Sequence, residues 1–177
     1  MNNWNRPLSD VLCIEAQGES VFRTSLSGFG GVTLGCATLA AARTCADKCL
    51  HSLHTYFFRP VPTDRPVELV VERVRDGRRF SHRRVQVRCE EKLFCELVAS
   101  FAAPGSGPEY QEAELDADLP QPSDLPSEDE IAKREGWNPE EPGPIGGALE
   151  WRWIGGTPWD PATSRAVSAY RGWVRPR

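Results

Sequence analysis

Between Val32 and about Cys45 the chain reads VTLGCATLAAARTC, and the apolar positions fall on every side of a helical wheel rather than along one stripe. Alanine and leucine dominate and proline is absent, which predicts a helix; a helix apolar all round is one that other elements enclose. The period then changes from 3.6 to 2. LHSLHTYFFRPV is rich in aromatics and breaks at Pro60, and VELVVERVR alternates. Asp76-Gly77 marks a hairpin turn, with both residues expected in left-handed dihedrals and Phe80 expected to re-enter the core. FSHRRVQVRC and LFCELVASFAA follow, separated by the polar Glu90–Lys92. One central helix with four strands laid against it as an antiparallel meander gives an α+β fold. Upstream, Val11, Leu12 and Ile14 predict a short helix or turn, and residues 20–24 a strand.

The pattern fails after Phe101. Residues 103–146 are rich in proline and acid and poor in apolar side chains, and from 105 to 146 they carry 12 Asp/Glu against 2 Lys/Arg. Such a segment buries too little to offset its ordering entropy, so most of it is expected as a linker. One short helix is predicted inside it, Leu125–Arg134, with Ser127 as N-cap and Glu130 completing a capping box. Strand-like sequence returns in ALEWRWIGGTPW and SAYRGWVRPR, with Trp151, Trp153, Trp159 and Trp173. Thirty such residues cannot form a domain unaided and must pack on something. The expected organisation is a domain over 1–104, a linker over 105–146 and the opening strands of a second domain over 147–177.

Net charge is −4, with the excess of acid over base confined to the middle of the chain. Without a broad basic face, nucleic-acid binding is excluded as the expectation. No apolar run is long enough for a membrane span, and MNNWNRPLSD does not read as a secretory signal. The six cysteines include no C-x-x-C pair; Cys45 and Cys49, four apart with His51 and His54 nearby, are better read as free thiols than as a zinc site. No metal or cofactor is expected.

The glycines at the helix start have G-x-x-x-x-G spacing from Gly30 to Gly35, but Cys36 and Ala37 stand where a P-loop needs Lys and Ser/Thr. No βαβ pattern supports a dinucleotide fingerprint either. Gly30 and Gly31 then have two readings: unhindered backbone N–H groups that polarise a thioester carbonyl, or small residues that let helix and sheet approach closely.

FGGVTLGCATLAAART, HSLHTYFFRP at 51–60, VERVRDGRRFSHRRV at 71–85 and ASFAAP at 99–104 occur in that order. Together they resemble the N-terminal half of the acyl-CoA thioesterase II family, whose members are double hotdogs: a helix wrapped by an antiparallel sheet, twice per chain. The resemblance is close over about 20–104 and loose over 148–177. It implies hydrolysis of a fatty acyl-CoA to free acid and coenzyme A, with an Asp, a Ser or Thr and a Gln of the second hotdog handling water. Those positions have no counterpart up to Arg177, and the family's glutamines after the glycines are replaced by Val32 and Cys36. The expected forms are a thioesterase completed by a second copy or by a partner supplying the other hotdog, a non-catalytic acyl-CoA binding or regulatory subunit, or a truncated product. The compartment implied is cytoplasmic; a peroxisomal one is open to the family, though GWVRPR is not a peroxisomal tripeptide.

For substrate binding the resemblance singles out Gly30, Gly31, His54 and Arg59, the last standing just before the Pro60 that closes HSLHTYFFRP. His54 has two readings, a base for direct chemistry or a satisfied structural histidine. Around the hairpin turn, Arg75, Arg78 and Arg83 either form a solvated strand edge or meet coenzyme A phosphates, because guanidinium forks suit phosphate oxygens. Cys36, among Leu34, Leu39 and Ala40, lacks the cationic surroundings of a nucleophile.

Overall fold

The computed structural model describes residues 7–112, 118–136, 147–158 and 169–177. Its contacts divide the chain into two units, Ser9–Gly107 and Met1–Leu8 with Pro108–Arg177. Trp159 lies outside the described residues.

After a short helix α1 (Leu8–Val11) at the boundary between the units, the Ser9–Gly107 unit holds β1 (Glu15–Ala16), β2 (Val21–Thr24), α2 (Gly30–Arg43), β3 (Cys49–Phe57), β4 (Val67–Asp76), β5 (Phe80–Cys89) and β6 (Lys92–Ala102). The six strands form one antiparallel sheet in the order β1-β2-β4-β5-β6-β3. Alternate residues of each inner strand (Val67, Leu69 and Val71; Val85 and Val87; Cys95, Leu97, Ala99 and Phe101) are buried on one face and meet α2. The helix meets them with Val32, Cys36, Ala37, Ala40 and Ala41, and the last four are fully buried. Alanines let the helix lie close to the sheet, which explains why so uncharged a helix follows the glycines. An Ala40→Leu substitution adds three heavy atoms where there is no space. It is expected to lower stability by about 1–3 kcal/mol, read from urea unfolding followed by far-UV circular dichroism.

Two expectations are corrected. β4, β5 and β6 do form consecutive hairpins, but β3 does not join β4: it pairs with β6 and becomes the outer strand. β3 and β4 are thus three strand spacings apart, about 14 Å. The nine residues Phe58–Pro66, three of them proline, have the length to cross that gap but not the form of a tight turn. At the β4–β5 turn, Gly77 does not take a positive φ. Glycine is needed there for space: a Cβ at Gly77 would lie 2.9 Å from the Phe80 carbonyl oxygen, which accepts the Gly77 N–H at 2.9 Å. Phe80 itself is half exposed and tilts against the His51 ring rather than entering the core.

In the other unit, α3 (Glu128–Arg134) starts as its sequence requires. Ser127 Oγ accepts the Glu130 N–H, and the Glu130 carboxylate accepts the Ser127 N–H at 2.7 Å. That hydrogen bond holds the Glu130 carboxyl below its ordinary value. β7 (Leu149–Ile154) and β8 (Arg171–Pro176) make an antiparallel pair, and the acidic stretch supplies its packing partner. Trp153 donates to Glu128, Arg152 to the Leu125 carbonyl, Trp173 to the Pro120 carbonyl at 3.0 Å, and Arg177 to Asp129 at 2.6 Å. Ile131 and Ala132 are buried, and Trp151 and Trp153 stack with centroids 5.0 Å apart. Among the described residues no helix is long and apolar enough to cross a membrane.

Candidate active site

Helix α2 begins at Gly30 with Phe29 as its N-cap residue, and no side chain caps it. Gly28 supplies the bend, at φ +82. The Phe29 carbonyl accepts the N–H groups of Val32 and Thr33 at 3.1 and 3.2 Å. The N–H groups of Gly30 and Gly31, two of the four donors that a helix start leaves over, have neither a backbone acceptor nor a side-chain cap among the described residues. Both lie beneath aromatic rings. A Cβ at Gly30 would meet the Phe57 ring at 3.4 Å, and one at Gly31 the Phe29 ring at 2.7 Å. The glycines admit the rings, and they leave two donors at the positive end of the helix dipole beside apolar side chains.

Strand alternation decides what can join them. Opposite β6, Leu53, Thr55 and Phe57 pair with the core-facing Ala99, Leu97 and Cys95, so they share the face that carries α2. His54 and Tyr56 pair with Val98 and Glu96 on the outer face, with the His54 and Tyr56 rings edge-on at 4.6 Å. Within the Ser9–Gly107 unit, His54 and the glycine pair are thus on opposite sides of the sheet. Thr55 is the residue that sequence reasoning passed over: its Oγ1 is buried and meets no partner among the described residues. The signal was the same alternation, which puts it two residues from Phe57 on the α2 side. Arg59, just past β3, is exposed with its guanidinium 5.8 Å from the Phe94 ring centroid.

The remaining arginines gather at the far end of α2. A helix of 14 residues is about 21 Å long, so they are separated from the glycines by roughly that distance. Arg75 and Arg78 are exposed beside the turn. Arg83 is 1% exposed, the largest fully buried side chain among the described residues, and all five of its N–H donors are engaged. Nε donates to Thr44 Oγ1 at 2.7 Å, and Nη1 to the Arg75 and His82 carbonyls. Nη2 donates to the Thr44 carbonyl at 2.9 Å and to Asp76 Oδ1 at 2.6 Å. Its hydrogen bond to Asp76 is the main cause holding that carboxyl below its ordinary value. Thr44 is the C-cap of α2, so a cation sits where the helix dipole is negative. Burial pushes the Cys36 thiol up and the Cys95 thiol to about 11; neither is a thiolate near neutrality.

An antiparallel sheet wrapped round one buried helix is the hotdog architecture. The same fold is found in a solved protein of Alicyclobacillus acidocaldarius described as having a hot dog fold (TM-score 0.72, 19% identity, 96% of this chain and 62% of that one). Residues 22–102 match the family model of the acyl-CoA thioesterase N-terminal domain. The chain is 37% identical over 84 residues to acyl-CoA thioesterase 2 of Haemophilus influenzae, covering 47% of this chain and 29% of that protein. It is 26% identical to the solved acyl-CoA thioesterase II TesB2 of Mycobacterium marinum, with a TM-score of 0.69 over 96% of this chain and 60% of that one. Residues 22–102 thus belong to the acyl-CoA thioesterase N-terminal domain family. The chain spans less than a third of that curated relative's length and about three fifths of the solved structure's.

Proposed function

We propose that the chain supplies the N-terminal hotdog of an acyl-CoA thioesterase, and that thioester hydrolysis takes place once a second hotdog stands against it. In this reading residues 147–177 are the first strands of that second hotdog and 105–146 link the two. The observation that carries it is β3. An edge strand of nine residues, eight of them exposed, presents Leu50, Leu53, Tyr56 and Phe57 beside an unpaired backbone row. Natural sheets avoid leaving such an edge open, because it pairs with another strand. The rest of that half, which brings the groups that activate water, comes from a second copy, from another chain or from further residues of this one. The Gly30 and Gly31 N–H groups, with Phe29 and Phe57 over them, suit the thioester oxygen; Arg59, Arg75 and Arg78 are the exposed cations for phosphate, and Arg83 serves to fix the end of α2. Six free thiols support a reducing, cytoplasmic setting.

A second reading is favoured by Val32 and Cys36, which are 4% and 0% exposed and bring no polar group to the helix start. On that reading the subunit binds acyl-CoA without cleaving it. Light scattering on the purified chain, combined with a thiol-release assay on short and long acyl-CoAs, separates the two. For the enzyme, an oligomer that releases thiol is expected. Tyr56→Glu, at the most exposed aromatic of the edge strand, is expected to produce monomers and reduce release at least tenfold. A wild-type monomer would rule out self-pairing, and saturable binding without release would favour the binding subunit.

A further inference from the structure

The outer face of the sheet, away from α2, carries a cleft that the thioester reading does not use. Its volume is 260 Å³, and it is lined by Arg23, Arg65, Pro66, Glu68, Arg88 and Glu90 among others. Strand register builds it. Glu68 on β4 stands opposite Arg23 on β2 and opposite Arg88 on β5, so the three side chains form one cross-strand row.

Such a row ordinarily closes on itself, with the carboxylate shared between the two guanidinium groups. Here it does not. Among the described residues Glu68 makes no ion pair with Arg23 or Arg88, and the ion pairs in the cleft are those of Arg65 with Asp64 at 2.9 Å and Glu90 at 3.3 Å. Arg88 Nε is buried and meets no acceptor. A guanidinium nitrogen without an acceptor is an open hydrogen-bonding demand, and the Arg88 side chain as a whole is only partly buried.

We propose that this cleft binds a phosphate group, held by the Arg88 and Arg23 guanidinium groups with Arg65 at the rim. Phosphate offers several anionic oxygens to planar forks that donate in pairs. Glu68 stands between the two arginines in the row, and Asp64 and Glu90 hold Arg65 in place. The proposal does not depend on thioester cleavage. The same chemistry is offered by free phosphate and by the phosphates of a coenzyme A ester, and the test distinguishes these.

Isothermal titration calorimetry of the full chain with sodium phosphate, coenzyme A and 3′-dephospho-coenzyme A is the measurement. Binding of at least one probe is expected, weakening as salt is raised. Arg88→Gln and Arg23→Gln are each expected to reduce it at least tenfold; the second changes an exposed side chain and leaves the fold intact by circular dichroism. Preference for coenzyme A over its dephospho form would identify the ester's phosphate as the ligand, and equal response to sodium phosphate a free anion. No heat with any probe, or unchanged affinity in both variants, overturns the proposal. Phosphate binding without thiol release would count against the hydrolytic reading alone.

Discussion

Replacing Arg83 by methionine is expected to lower the unfolding free energy by about 3 kcal/mol, measured by urea titration with far-UV circular dichroism. Breaking a buried charged network by removing one partner costs about 3–5 kcal/mol. The lower end applies because Asp76 is 53% exposed and water can solvate it when the guanidinium is gone. The Thr44 and Arg75 carbonyls also lose their donors. Arg83→Lys is expected to recover little, since one ammonium cannot reach five acceptors spread over α2 and β4–β5. The same network sets an acid limit. Asp76 titrates below its ordinary value in the folded chain, so its contribution is present above about pH 4 and is lost as pH falls through the folded value. Asp76→Asn is expected to flatten that part of the stability profile, and an unchanged profile would mean that the pair contributes nothing.

The larger loss is expected at Phe101. Its ring is 1% exposed on the inner face of β6, in register with Leu50 on β3 and Ser81 on β5. Phe101→Ala removes a whole ring from a close-packed layer, at a cost of about 3–5 kcal/mol by the same measurement. Because Leu50 lies on the outer strand, that strand is expected to loosen first, seen as faster amide exchange over 49–57. Equal protection along all strands would show that the sheet melts as one piece.

The sequence was most readable where a single period rules. The all-round apolar helix, the β4–β5–β6 hairpins and the Ser127 capping box follow from spacing alone, and each is found within two residues of its expected place. Legibility ended where partners are distant. Nothing local says that β3 crosses to β6, because that choice depends on packing α2 against all the strands at once. Arg83 shows a subtler failure. Read with its neighbours Arg78, Arg79 and Arg84 it is one of a basic group, yet Ser81, Arg83, Val85 and Val87 share a face by alternation. The period already placed its guanidinium inside. The glycine pair was legible as a helix start but not as a seat for two rings, since Phe57 comes from a strand twenty-six residues on.

None of the six tryptophans lies between Ser9 and Gly107 in the sequence, and the described ones, Trp151, Trp153 and Trp173, belong to the other unit. Indole emission is therefore blind to the hotdog and follows the other unit alone. Near-ultraviolet excitation and backbone dichroism offer two separate views of one chain, and a gap between their transitions would measure how independently its two parts melt.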